Sequence, residues 1–86
     1  MAYNISYTKQ ATKTLLKIPV ELRNTIHRKM EQIATNPFDH HPNVITLQNR
    51  DSYRLRVGDW RIVYEVHQDR ILIIVLKIAL RKEIYR

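Results

Sequence analysis

Tyr53-Arg54-Leu55-Arg56-Val57-Gly58-Asp59-Trp60-Arg61-Ile62-Val63-Tyr64 is the stretch that decides the fold of this 86-residue chain. Successive side chains of a β-strand point to opposite faces, so Tyr53, Leu55 and Val57 share one face while Arg54 and Arg56 share the other. One strand then supplies both a core surface and a displayed basic pair. Gly58-Asp59 is a turn signal, and a hairpin closed there brings Arg61 near the first two arginines. A cluster of this kind suits a polyanion.

The strand pattern continues on the C-terminal side. Trp60 to His67 and Ile71 to Ile78 read as two further strands, separated by a Gln68-Asp69 turn signal, and antiparallel pairing is the simplest connection. Ile71 to Ile78 is apolar at nearly every position, as expected of a central strand with one face against the helices and part of the other also covered. On the N-terminal side, Asp39-His40-His41-Pro42 reads as a loop and Val44 to Leu47 as a short extended piece. Further back, Leu22, Ile26, Met30 and Ile33 form the apolar stripe of a helix that starts near Pro19, carries Glu21 in its first turn and stops at Asn36-Pro37. Before it, Ala11, Leu15 and Ile18 mark a helix with Thr8 as its N-cap, and Tyr3, Ile5 and Tyr7 lie on one face of a first strand. The expected fold is therefore α+β: a small antiparallel β-sheet packed against an N-terminal α-helical hairpin. It occupies a single domain, residues 1–86, with no internal repeat or linker.

Composition narrows the functional classes. A chain of this length has a modest core. Its 44% hydrophobic content, with one glycine and three prolines, argues for a formed surface over a disordered basic tail. Fifteen Lys and Arg against eight Asp and Glu give a formal net charge of +7, which favours nucleic acid or another anionic partner through long-range attraction. The absence of cysteine removes disulfides and thiolate zinc sites. The N-terminus alternates polar and apolar residues and does not resemble a signal peptide, and the apolar run Ile71 to Leu76 is too short for a membrane helix. A soluble cytoplasmic protein without a membrane partner is the expectation.

After residue 43 the cations are Arg50, Arg54, Arg56, Arg61, Arg70, Arg81 and Arg86, with only Lys77 and Lys82 as lysines. Arginine is more than a solubilising charge, because its planar guanidinium makes paired hydrogen bonds to phosphate and stacks on bases. Two readings of Arg54, Arg56 and Arg61 stay open: a binding or catalytic cleft, and an ordinary charged sheet face. Tyr85 has two readings as well. If the C-terminal tail crosses the concave sheet, its phenol meets the arginines and positive charge favours the phenolate; otherwise it anchors the terminus in the core. Tyr53 and Tyr64 match the packing side of the alternation. His27, His40, His41 and His67 are read as solvent or packing residues, with histidine-assisted cleavage as the minor reading. Asp59, Glu65 and Asp69 form no recognised carboxylate metal motif. No metal or other cofactor is expected.

The run Ser52-Tyr53-Arg54-Leu55-Arg56-Val57-Gly58-Asp59-Trp60-Arg61-Ile62-Val63-Tyr64-Glu65-Val66, followed by Lys77-Ile78-Ala79-Leu80-Arg81-Lys82-Glu83-Ile84-Tyr85, resembles the RelE/ParE toxin superfamily of toxin–antitoxin systems. The resemblance extends over nearly the whole chain and is greater to the RelE branch than to ParE. It implies a RelE-like fold and a metal-independent endoribonuclease that cuts mRNA in the ribosomal A site by attack of the RNA's own 2′-hydroxyl, inhibiting translation. It also implies a cognate antitoxin, which in such systems mediates higher-order assembly and operator DNA binding. By similarity Arg54 and Arg56 contact the substrate backbone, Arg61 binds phosphate, Arg81 stabilises developing charge on the departing 5′-oxygen, and Tyr85 stacks with or orients the substrate. Two departures accompany it. Ala79-Leu80 stands where many relatives have glycine and a polar residue, and arginine replaces lysine at early basic positions. A guanidinium, with a pKa above ~12, is a poorer proton acceptor than an amine. The alternatives are a ParE-like inhibitor of DNA gyrase and a catalytically weak relative that binds RNA or antitoxin.

Overall fold

The structure is a computed structural model that describes residues 2–48 and 51–84. Arg50, Tyr85 and Arg86 therefore lie outside the described residues. The chain forms β1 (Asn4–Tyr7), α1 (Lys9–Lys17), α2 (Val20–Thr35), β2 (Val44–Thr46), β3 (Ser52–Val57), β4 (Trp60–His67), β5 (Leu72–Leu80) and a short α3 (Arg81–Ile84). Among the described residues one sheet holds five strands, in the order β1-β5-β4-β3-β2. Its pairings are antiparallel except at β1, which runs parallel to β5.

Local chemistry sets the helix ends. The Thr8 hydroxyl accepts from the Ala11 N–H at 3.2 Å and so caps α1. The same hydroxyl donates to the Leu76 carbonyl at 2.7 Å, tying the helix start to β5. Pro19 lacks the N–H needed to continue α1, and its fixed φ of −57° leads directly into α2. Arg23 then secures the hairpin, because its Nε donates to the Leu15 carbonyl at 2.8 Å in the last turn of α1. At the far end α2 stops at Asn36, ahead of Pro37.

The core lies between this helix pair and one face of the sheet. Ala11, Leu15 and Ile18 from the first helical segment, and Ile26, Met30 and Ile33 from α2, meet Leu55, Ile62, Tyr64, Val66, Ile73, Val75 and Ile78. Tyr3, Ile5, Tyr7 and Tyr53 pack against its margin. The period-two reading of β3 and β4 holds in detail: Tyr53 pairs with Tyr64, Leu55 with Ile62 and Val57 with Trp60 on the helix side. Tyr53 and Tyr64 stack there with ring centroids 5.4 Å apart. Arg54, Arg56 and Arg61 are thereby assigned to the opposite face.

Several boundaries differ from those expected. Ile71 is excluded from β5, because it adopts the left-handed conformation (φ 49°, ψ 49°) that closes the short 3-10 turn Gln68–Arg70. At its other end β5 runs on through Ala79 and Leu80, paired with Arg61 and Trp60. A register shift beside Val63 and Tyr64 accommodates an additional β5 residue, Leu76, and changes the alternation along that strand. His27, expected on the polar side of α2, is half-buried instead and hydrogen-bonds through Nδ1 to the Tyr7 hydroxyl at 3.0 Å.

Candidate functional site

Three of the sequence-predicted site residues converge. Arg54, Arg56 and Arg61 line one open cavity of about 370 Å³ together with Asn43 and Ile45. Strand register produces this grouping, since Arg56 is directly opposite Arg61 and Arg54 is directly opposite Ile45 on the other neighbour. Arg54 and Arg61 are half-buried and Arg56 is exposed. The result is a concentrated positive surface on the sheet face away from the helices.

Two of these guanidinium groups are restrained by neutral oxygens. Arg61 Nη1 donates to the Gly58 carbonyl at 2.9 Å and to the Trp60 carbonyl at 3.0 Å. Gly58 supplies the positive φ of 58° that the turn requires. Arg56 Nη2 donates to Asn43 Oδ1 at 2.7 Å. Neither contact cancels the positive charge, so both groups keep their capacity to attract an anion.

Arg81 does not line this cavity. It begins α3, its backbone N–H donates to the Asp59 carbonyl at 2.8 Å, and it borders a separate cavity with Asp59, Leu80 and Lys82. Tyr85, the other late residue assigned by resemblance, lies outside the described residues. Leu80 pairs with Trp60, whereas Ala79 pairs with Arg61. The departure at Leu80 therefore bears on the surroundings of Arg81 more directly than on the three-arginine cavity.

A larger groove, about 610 Å³, lies between α1 and the end of β5, bordered by Gln10, Lys17, Trp60, Lys77 and Glu83. Its mixed charges make it a less concentrated anion site than the arginine cavity. Among the described residues no three His, Asp or Glu side chains form a group suited to a metal ion. His67 pairs with Glu65 at 3.1 Å, and His41 contacts the Asn36 carbonyl at 2.7 Å.

Asn43 and Ile45 were not assigned to the site by sequence reasoning. The loop reading stopped at Pro42, and the signal that could have found Asn43 is asparagine's tolerance of positive φ directly after it. Ile45 carried no polar signal at all. Its place beside Arg54 emerges only when β2 pairs with β3.

This fold and site define a small basic α+β protein with a concentrated arginine surface on the sheet face away from its helices. Residues 5–85 match the family of the ParE toxin of the type II toxin–antitoxin system parDE. The whole chain is 30% identical over 88 residues to RelE1 of Methanocaldococcus jannaschii, covering 98% of that protein. The toxin in the archaeal RelE–RelB complex of Pyrococcus horikoshii superposes with a TM-score of 0.83 and 28% identity, over 94% of this chain and 97% of that one. The isolated RelE toxin of E. coli shares the fold at a TM-score of 0.79, with 22% identity over 98% of this chain and 92% of that one. The chain belongs to the RelE/ParE toxin superfamily.

Proposed function

We propose that this protein is the toxin of a type II toxin–antitoxin pair and acts as a ribosome-dependent mRNA endonuclease. The observation that carries the reading is the convergence of Arg54, Arg56 and Arg61 on one cavity of the sheet face opposite the helical core. RNA brings a phosphate to such a surface, and its adjacent 2′-hydroxyl supplies a nucleophile. Attack of that oxygen on phosphorus, with loss of its proton, breaks the bond to the 5′-oxygen. Protonation of the departing oxygen completes the step, leaving a 2′,3′-cyclic phosphate and a 5′-hydroxyl.

In this reaction Arg61 holds the phosphate while Arg54 and Arg56 contact the backbone and orient the hydroxyl. Their positive charge stabilises the additional negative charge of the transition state. Arg81 and Tyr85 retain the roles implied by resemblance: stabilisation of the departing oxygen, and stacking or proton transfer at the attacking end. Arg54 and Arg56 serve better as electrostatic clamps than as proton acceptors, because guanidinium holds its proton strongly. The partner is an antitoxin, as in the RelE–RelB complexes of Pyrococcus horikoshii and Methanococcus jannaschii. An acidic segment of it covering the arginines blocks the same surface that binds RNA.

The direct test is mapping of mRNA 5′ ends after brief expression, with ribosome-free RNA as the comparison. Cuts confined to translated, ribosome-bound mRNA are expected. Unchanged cutting after combined replacement of Arg61, Arg81 and Tyr85 contradicts this site. The match to the ParE family supplies a second reading, inhibition of DNA gyrase. Gyrase-linked DNA breaks without mRNA cuts favour that function.

A further inference from the structure

We infer that Asn43 is a positioning residue for RNA cleavage, holding the Arg56 guanidinium on the β2 side of the cavity it shares with Arg61; this inference rests on the proposed RNA-cleaving function. Arg56 and Arg61 are direct cross-strand partners. Directly opposed side chains on antiparallel strands lie close together, and two positive charges in that relation repel. Left free, long arginine side chains relieve the repulsion by spreading over many positions, which disperses the charge a phosphate would meet. Oxygen acceptors restrain both sides of this pair.

Asn43 makes two contacts to Arg56. Its side-chain Oδ1 accepts from Arg56 Nη2 at 2.7 Å, and its main-chain carbonyl accepts from the Arg56 backbone N–H at 2.9 Å. One residue therefore fixes both ends of the arginine. Asn43 has φ 65°, in the left-handed region that asparagine adopts more readily than most residues with a Cβ. The position consequently places two demands on its residue: tolerance of that backbone and an oxygen within reach of Arg56. Glycine meets the first and fails the second, while a larger aliphatic residue fails both.

The neutral amide matters as much as its geometry. A carboxylate here holds Arg56 more strongly but subtracts charge from the cavity that Arg54, Arg56 and Arg61 share. Asparagine restrains the cation and leaves its charge available. A phosphate entering between Arg56 and Arg61 then meets a partly prearranged pair, and less side-chain freedom is lost on binding.

The test uses the full chain with Asn43→Gly, Arg56→Ala and the double variant, assayed for cleavage on translating ribosomes. Loss of the ordering contribution predicts a fall in kcat/KM of roughly threefold to tenfold for Asn43→Gly. The same substitution is expected to add little in the Arg56→Ala background, because its effect passes through Arg56. Nitrogen-15 NMR of the Arg56 guanidinium should show restrained rotation in the wild type and freer rotation in Asn43→Gly. Asn43→Asp should preserve the restraint while weakening RNA binding through its added negative charge. Equal kcat/KM for wild type and Asn43→Gly, an equal loss with or without Arg56, or free Arg56 rotation in the wild type overturns the inference. Absence of translation-dependent cleavage by the wild type instead overturns the endonuclease reading. In that event the same variant cycle is read by binding to a short single-stranded RNA, where coupling between positions 43 and 56 supports the positioning role and additivity rejects it.

Discussion

The side-chain amide of Gln10 engages both backbone groups of Ile78: Nε2 donates to its carbonyl at 3.2 Å and Oε1 accepts from its N–H at 3.1 Å. β1 pairs only with residues 72 to 75 of β5, so Gln10 serves the strand edge beyond that pairing. Thr8 and Glu83 continue the protection through the Leu76 carbonyl and the Leu80 N–H. Gln10→Ala removes two contacts together. It is expected to lower stability by ~1–3 kcal/mol, taking about 0.5–1.5 kcal/mol net for each hydrogen bond. Denaturant titration gives the stability change, and light scattering reports whether the freed edge promotes association. An unchanged unfolding midpoint would show that water satisfies Ile78 equally well.

Arg61 reaches two carbonyls of its own hairpin, Gly58 and Trp60, while remaining beside Arg56 in the shared cavity. Under the proposed function, Arg61→Ala should slow single-turnover cleavage of ribosome-bound mRNA by about 10²–10³-fold, the range for loss of one transition-state donor. Arg61→Lys retains charge but loses the planar fork, so it should recover only part of the rate. Full activity in both variants would remove Arg61 from the reacting centre.

The two-residue period of β3 and β4 made the core face and the three-arginine face legible in the sequence, because side-chain direction there follows a local rule. Thr8, Pro19 and Asn36 likewise revealed the helix ends through their capping and backbone chemistry. The parallel pairing of β1 with β5 joins residues such as Asn4 and Leu72, whose contact no local periodicity reports. The same separation concealed the Gln10–Ile78 clamp. Asn43 and Ile45 entered the site through pairing of β2 with β3, a relation absent from the arginine pattern itself. Arg81 followed the family resemblance, whereas the cavity containing Arg61 does not include it.

Ile71 combines a β-branched side chain with left-handed backbone, φ 49° and ψ 49°. Its carbonyl accepts from the Asn4 N–H at 3.0 Å, which links the turn to the start of β1. Half of this side chain is exposed, so replacement sacrifices limited burial. Ile71→Asn should stabilise the protein by about 1 kcal/mol through relief of left-handed strain. Equilibrium urea unfolding checks the sign, and destabilisation would show that Ile71 packing outweighs the backbone term.

The Tyr64 hydroxyl is buried, and no hydrogen-bond partner serves it among the described residues. Burial also raises its pKa, with the adjacent Tyr53 adding to the shift. The aromatic ring contributes to the core and stacks on Tyr53, whereas its hydroxyl carries an uncompensated desolvation cost. Tyr64→Phe preserves the ring and should increase stability by ~1 kcal/mol. Thermal unfolding provides the comparison; a lower midpoint would reveal that the hydroxyl has a favourable interaction in solution.

Tyr7 provides a separate pH test because it bonds to His27 at the boundary between β1 and α2. Burial first, and the negative charge of Glu31 second, push its phenol up to about 12 from an ordinary value of 10.0. The folded state thus binds the phenolic proton more strongly than the unfolded state. Its stabilising contribution is fully present below pH 10 and is lost as pH rises through about 12, since the unfolded chain releases that proton first. Denaturant titrations on either side of the lower value should show wild-type stability falling as this window is entered. Tyr7→Phe removes this titration and should flatten the fall, although the residual slope from Tyr64 has the same direction. An identical slope in wild type and Tyr7→Phe would place the alkaline transition elsewhere.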